Sequence, residues 1–243
     1  MLSLFKKEFH QYFSSLSGYI TIIIFLILNG VFLFILKDSN LFDPGYANLD
    51  PFFTLAPWIL LFLLPAITMR TLSEEFKSGT FEILKTRPLT KWQIIWGKYL
   101  AILLIILIVL IPTATYIITI KLLSVTGTID TGGIIGSYLG IFLLSSVFAA
   151  IGLACSGLTN NTVIAFLITA FVCLMCYFGF SAISKIPFFQ GSLDYYIEML
   201  GIDYHYRSIS RGVIDSRDLV YFFSFIFFFL LLATKKLKRS IRN

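Results

Sequence analysis

Long apolar runs separated by short polar intervals dominate the chain, and six of them are long enough to cross a hydrocarbon layer. Such a layer is about 30 Å thick and takes about 20 residues, or somewhat fewer when polar flanks snorkel. The runs fall near 17–36, 53–69, 100–120, 134–157, 162–184 and 218–234. A cleaved leader is not expected, because the first run is too long for the apolar region of a signal peptide and no A-x-A-like site follows it. One interval differs from the rest. Residues 70–98, RTLSEEFKSGTFEILKTRPLTKWQIIWGK, form a densely charged cassette between the second and third runs.

Local signals divide the cassette. Thr71-x-x-Glu74 resembles a capping box at the exit of the second span, and Ser78-Gly79 offers a break before a short helix carrying Phe81, Ile83 and Leu84. Pro88 disfavours helix at Arg87 and ends that segment. Thr90-x-x-Gln93 is a second capping box, and Trp92 and Trp96 lie one turn apart at interface depth, with Lys98 beside them, where the third span begins. The pattern predicts helix, break, short helix, break, helix. The short helix should expose Phe81 and Leu84 with Glu82 and Lys85 alongside. Such a ridge suits either a groove on a soluble partner or the lipid surface, and periodicity does not separate the two.

Composition places the protein in a bilayer. Of its 243 residues 58% are hydrophobic and 13% charged, against roughly 25% charged in an average soluble domain. The charges also orient it. With the N-terminus inside, thirteen Lys and Arg and four acidic residues lie on the inner side, and six basic and nine acidic residues on the outer side. The nets of +9 and −3 sum to the stated +6. By the positive-inside rule both termini are expected to be cytoplasmic. The basic excess sits beside span ends, so topology accounts for it and nucleic-acid binding is not expected.

Candidate chemistry is sparse. No Asp, Glu, Lys, Arg or His falls in a span core, whereas proton relays and ion-coupled carriers need ionisable groups at depth. Gly97-Lys98 is followed by Tyr99 and lacks the upstream glycine of a phosphate-binding loop. No catalytic, cofactor or metal residue is therefore assigned, and any energy must come from a partner. Cys155, Cys173 and Cys176 read as small apolar packing residues with no further metal ligand nearby. His205 reads as a polar surface residue, and the sequon at Asn160 lies in an expected cytoplasmic turn. Small residues four apart in the fourth span (Gly136 and Gly140, Ser145 and Ala149, Ala150 and Ala154) fit close helix packing within the chain, a subunit interface or a transport path. The interval 185–217 mixes aromatics (Phe188, Phe189, Tyr195, Tyr196, Tyr204, Tyr206) with charges (Asp194, Glu198, Asp203, Arg207, Arg211), as short interfacial helices or a solvated loop would.

The cassette EEFKSGTFEILKTRPLTKWQIIWGK resembles the signature of type-2 ABC transporter permeases, the ABC-2 membrane protein family, through Glu75, Gly79, Thr80, Glu82, Leu84, Pro88, Gly97 and Lys98. The resemblance implies an all-α integral membrane fold of six transmembrane helices in a single domain over 1–243. It implies an N-terminal interfacial elbow helix at 1–15 with Leu2, Phe5, Phe9, Tyr12 and Phe13 on its apolar face, and re-entrant or interfacial helices before the sixth span. A basic tail would occupy 235–243. It further implies that Glu75, Gly79, Thr80, Phe81, Glu82, Leu84 and Pro88 form a coupling helix that contacts two ATP-binding subunits. ATP and magnesium would be held there and not in this chain, which would work as a dimer in a bacterial inner membrane. The segment YRSISRGVIDSRDLVYFFSF at 206–225 resembles the gliding-motility-associated permeases of Bacteroidetes, the GldF family, and permeases of copper-enzyme maturation look similar there. The gliding resemblance implies a membrane-anchored accessory subunit with a large extracytoplasmic domain, and a role in transport or in transmitting force or assembly signals. Copper-enzyme maturation and lipid or drug export are the remaining alternatives.

Overall fold

The structure is a computed structural model that describes residues 1–36, 48–85, 88–124, 130–188, 191 and 193–242. It is 83% helical, and no strand occurs among the described residues. Arg87 and Phe189, which the sequence reading used, lie outside the described residues.

Helix α1 (Leu2–Ser14) meets α2 (Leu16–Phe34) at Ser15, whose extended backbone breaks the helical run, and the two axes differ by 67°. The first apolar run is thus a span with an elbow before it. Leu4 is the buried residue of α1, with Phe9, Tyr12 and Phe13 packed behind it, whereas Leu2 is exposed. Helix α3 (Asp50–Thr68) carries Pro57 and Pro65 inside it. Proline has no N–H, so Pro57 leaves the carbonyl of Phe53 without its helical donor. The Tyr206 hydroxyl donates to that oxygen at 2.6 Å. Helices α4 (Ser73–Ser78) and α5 (Thr80–Lys85) follow, then α6 (Lys91–Leu110), a 3-10 turn at Pro112 and α7 (Ala114–Leu123).

Helix α8 (Thr131–Ser156) is the axis of the molecule, packed by α3, α6, α9, α12 and α13. Of its apolar window 89% is buried inside the protein, against 22% for the span at Thr162–Ser184, which faces outward. Its small residues serve packing within the chain. A Cβ on Gly136 would stand 2.9 Å from the Gly212 Cα, and one on Gly140 would stand 3.1 Å from Ile209. Ser145 and Ser146 turn their hydroxyls onto the carbonyls of Ile141 and Phe142, so no polar atom of theirs is stranded in the core.

Helix α9 (Thr162–Leu174) is capped by the Asn161 side chain and continues through a π-helical stretch at Met175–Gly179 into α10 (Phe180–Ser184). Two short helices follow, α11 (Asp194–Met199) and α12 (Ile202–Ile209). Only α12 has a buried face: Ile202, His205, Tyr206 and Ile209 pack inward, while Tyr195 and Tyr196 on α11 are exposed. Helix α13 (Ser216–Arg242) continues as helix into the basic C-terminal residues. Five helical stretches are long and apolar enough to span, and α2 with its elbow makes a sixth. The protein is an all-α integral membrane protein.

His205 corrects the sequence reading, because it is buried and not at the surface. Its Nε2 lies 2.9 Å from the Met199 carbonyl, which can only accept, so Nε2 carries a proton. Its Nδ1 lies 2.6 Å from an Asp218 oxygen, and the ring stacks on Tyr221 with centroids 3.8 Å apart. The pair fastens α12 to the start of α13. A single histidine in a polar interval carries no sign of this, since its partner is 13 residues away across a turn.

Candidate functional site

The charged cassette folds onto the end of the bundle where α6 begins. Helix α3 is followed by a turn at 69–72 and the chain re-enters helix as α4. The expected capping box at Thr71 is absent: Leu72 is the N-cap of α4, and the Thr71 hydroxyl donates back to the Thr68 carbonyl. Leu72 is fully buried.

Gly79 then divides α4 from α5 with φ of +71°, a left-handed conformation that side chains resist. Nothing lies within 4 Å of a Cβ built there, so the requirement for glycine is conformational and not spatial. Ser78 and Thr80 bridge hydroxyl to hydroxyl across the break at 2.9 Å. Phe81 is 3% exposed and meets Phe76 of α4 edge to face at 4.8 Å, so it roots α5 instead of forming an outward ridge. Leu84 is partly buried against the same core. Thr80 and Glu82 of α5 are exposed, and so is Pro88 beyond it. The expectation of an exposed Phe81 failed because it assumed an isolated amphipathic helix. The Gly79 turn folds α5 back onto α4, and the aromatic pair closes the joint.

The second capping box forms as expected, Thr90 accepting from the Gln93 N–H and Gln93 accepting from the Thr90 N–H. Trp92 and Trp96 are each more than a third exposed, Trp92 parallel to Phe227 and Trp96 on Tyr99. Lys98 behaves differently from these two. Its side chain is 0% exposed, and the ammonium donates to Glu8 Oε1 at 2.9 Å and to the Thr71 carbonyl at 2.8 Å and forms an ion pair with Glu75 Oε1, also at 2.9 Å. Two hydrogen bonds and two carboxylate charges hold the ammonium in place. Lys98 therefore does not reach out to the membrane interface, as it was expected to.

This cluster is the centre of the site. Lys7 completes it, 3.1 Å from Glu75 Oε1 and 3.6 Å from Glu8 Oε1, so two ammoniums face two carboxylates. Burial would lower the pKa of Lys7, but the charges and hydrogen bonds of Glu75 and Glu8 together raise it. A buried ammonium is tolerable when its charge is balanced and it is hydrogen-bonded, and Lys98 has two carboxylates beside it and two hydrogen bonds. Gly97, one residue earlier, makes the approach possible, since its missing Cβ is where Leu4 and the Met1 carbonyl of α1 rest. The pair Gly97-Lys98 is thus a docking station: the glycine seats α1 and the lysine bonds it. Through Glu75 the same lysine holds α4, and the Thr71 and Ser156 hydroxyls, 3.1 Å apart, tie the turn to α8.

Sequence reasoning named Glu75 and Lys98 but did not pair them, and it missed Glu8 and Lys7. One signal was available. Glu8 stands four residues after Leu4, on the face of α1 that buries Leu4, where an unpaired carboxylate would be costly.

Among the described residues no three His, Cys, Asp or Glu side chains gather to hold a metal, and the three cysteines are free. A search among curated proteins finds no match. Residues 2–192 match the family model described as ABC-2 family transporter protein, and this range takes in the elbow, the cassette, the charge cluster and the spans as far as α10. The chain belongs to the ABC-2 transporter family and is the membrane component, the permease subunit, of an ABC transporter.

Proposed function

We propose that α5 is the coupling helix, receiving the motion of two ATP-binding partner subunits and passing it to the spans. ATP and magnesium would be bound and hydrolysed in those partners, and two copies of this chain would form the membrane path. The observation that carries the reading is the mechanical continuity of the cassette. Thr80 and Glu82 face outward, Phe81 fixes α5 to α4, and Glu75 on α4 shares the buried Lys98 of α6 with Glu8 of α1. A displacement of α5 is therefore felt by the elbow and by the third span together. A partner can shift such an element only by its different affinity for the two positions, so ATP must favour one of them. On this reading both termini and the cassette are cytoplasmic, as the distribution of Lys and Arg supports, and the membrane is a bacterial inner membrane.

The finer assignment, a permease of the gliding-motility type working with a membrane-anchored accessory subunit, is supported by the resemblance of 206–225. That system would either export a cargo or transmit force across the membrane without moving a solute. Mild-detergent purification of the tagged chain from native membranes, with subunits identified and ATPase activity assayed, tests the proposal. Recovery of an ATP-binding subunit together with a large accessory protein supports the gliding type, and recovery of the ATPase alone points to a simple exporter. Recovery of the chain alone at every salt concentration removes the coupling assignment.

A further inference from the structure

A cleft of about 620 Å³ opens between α1, α2, the end of α3, α4 and the start of α6, directly beside the charge cluster. Its volume is that of a small-molecule site, and its two ends differ in chemistry. One end is charged. Lys7, Arg70 and Lys98 line it against Glu8, Glu74 and Glu75, three positive groups facing three negative, so the site as a whole favours neither an anion nor a cation. The other end is apolar, walled by Ile20 and Ile24 of α2, Ile67 of α3 and Ile102 and Ile105 of α6. At 1.5 Å per residue, Ile102 and Ile105 stand about 6 Å and about 10 Å deeper along α6 than Lys98. The polar end thus lies at a span terminus and the apolar end inside the hydrocarbon. Ile20 and Ile24 are 43% and 46% exposed, so the α2 wall is open sideways to the bilayer.

The charge cluster does not account for all of its own atoms. Lys98 is held within the protein by two hydrogen bonds and by its ion pair with Glu75. Glu75, only 9% exposed, accepts from Lys7 and pairs with Lys98 on Oε1 and has no hydrogen-bond partner on Oε2. A buried carboxylate oxygen without a donor is costly. What would complete it is a group with N–H bonds and positive charge, carried by a molecule whose negative group lies at the Lys7 and Arg70 rim and whose tail is apolar.

We propose that the cleft binds a membrane phospholipid with a primary-amine headgroup. The ammonium donates to Glu75 Oε2, the phosphate lies at the Lys7 and Arg70 rim, and an acyl chain follows the isoleucines out between α1 and α2. The lipid joins the elbow to α4, so its presence stiffens the cassette. The inference rests on the membrane assignment and on the cleft, and not on the ATPase contact at α5.

The test is photolabelling of the purified full chain in bilayer nanodiscs. The probes carry a diazirine in one acyl chain and differ only in headgroup: phosphoethanolamine, phosphocholine or phosphoglycerol. Phosphocholine has the charge but no N–H, and phosphoglycerol has hydroxyl donors but no cation. Labelled peptides are mapped by mass spectrometry. The expected result is that the phosphoethanolamine probe labels 20–24 and 101–105 about tenfold more than either other probe, the order of one hydrogen bond to a charged group. Glu75→Gln, which puts an amide donor where the ammonium should bind, should erase that preference. Should Glu75→Gln fail to fold, Ile20→Trp on the exposed α2 wall should still lower labelling of both segments severalfold. Equal labelling by the three headgroups, labelling of the outward faces of α9 and α13 as strong as that of the cleft, or cross-linking of these segments to a second copy of the chain would each overturn the proposal. ATPase recovery in the purification described above is read separately, so either idea can fail alone.

Discussion

At the scale of single residues, Lys98 is the position on which most depends. Lys98→Met leaves Glu8 and Glu75 facing one another with only the half-exposed Lys7 between them. Removing one partner of a buried ion pair typically costs about 3–5 kcal/mol, and loss of that order is expected in denaturant unfolding of the solubilised protein. Adding Glu8→Gln to Lys98→Met should cost less than the sum of the two single changes, because the second substitution removes a charge already stranded by the first. Gly79 is the other sensitive position. Gly79→Ala should lose about 1–2 kcal/mol through the left-handed backbone alone, with no steric contribution. Both positions were visible in the sequence as members of the signature. Their physical roles were not equally visible. A glycine after Ser78 announces a turn by itself, whereas the partners of Lys98 lie 90 and 23 residues away and no local pattern joins them.

At the scale of elements, the cassette shows what periodicity can reach. The break at Gly79, the short helix after it and the Thr90 capping box all depend on neighbours in sequence, and all are present. The face that α5 presents depends on α4, and there the sequence reading was reversed. Phe81→Asp is therefore expected to undock α5 and reduce stability, since it places a carboxylate 3% exposed against Phe76. Glu82→Lys on the exposed side should leave the unfolding midpoint within about 0.5 kcal/mol of the parent, and comparing the two variants by thermal unfolding checks which side faces out. The crossing of α8 and α3 gives a further case. A Cβ on Gly152 would fall 2.0 Å from the Thr68 Oγ1, so Gly152→Ala should destabilise by about 1–3 kcal/mol as the helices are forced apart. The small-residue spacing of α8 announced close packing, but composition could not distinguish neighbours in the same chain from those in another.

At the scale of the whole molecule, the apolar pattern located the spans because the bilayer imposes a length on every crossing, and family membership follows from a match over residues 2–192. Less legible was how the two ends of the bundle are closed. One end is held by the lysine and glutamate cluster beneath the cassette, the other by His205 with Asp218 and by Tyr206 at the carbonyl that Pro57 frees. Both closures join segments far apart in sequence. In this arrangement the polar groups that close the bundle sit at span ends.

The measurement that tests the coupling claim most directly is site-specific cross-linking from α5 in native membranes. A photoreactive amino acid replaces Thr80 or Glu82 in turn, and the products are identified with and without a trapped ATP analogue. The account predicts cross-links from both positions to an ATP-binding subunit, with yields that change when nucleotide is trapped. Cross-links to lipid alone, in both nucleotide conditions, would contradict it and leave the cassette as a helix lying on the membrane surface.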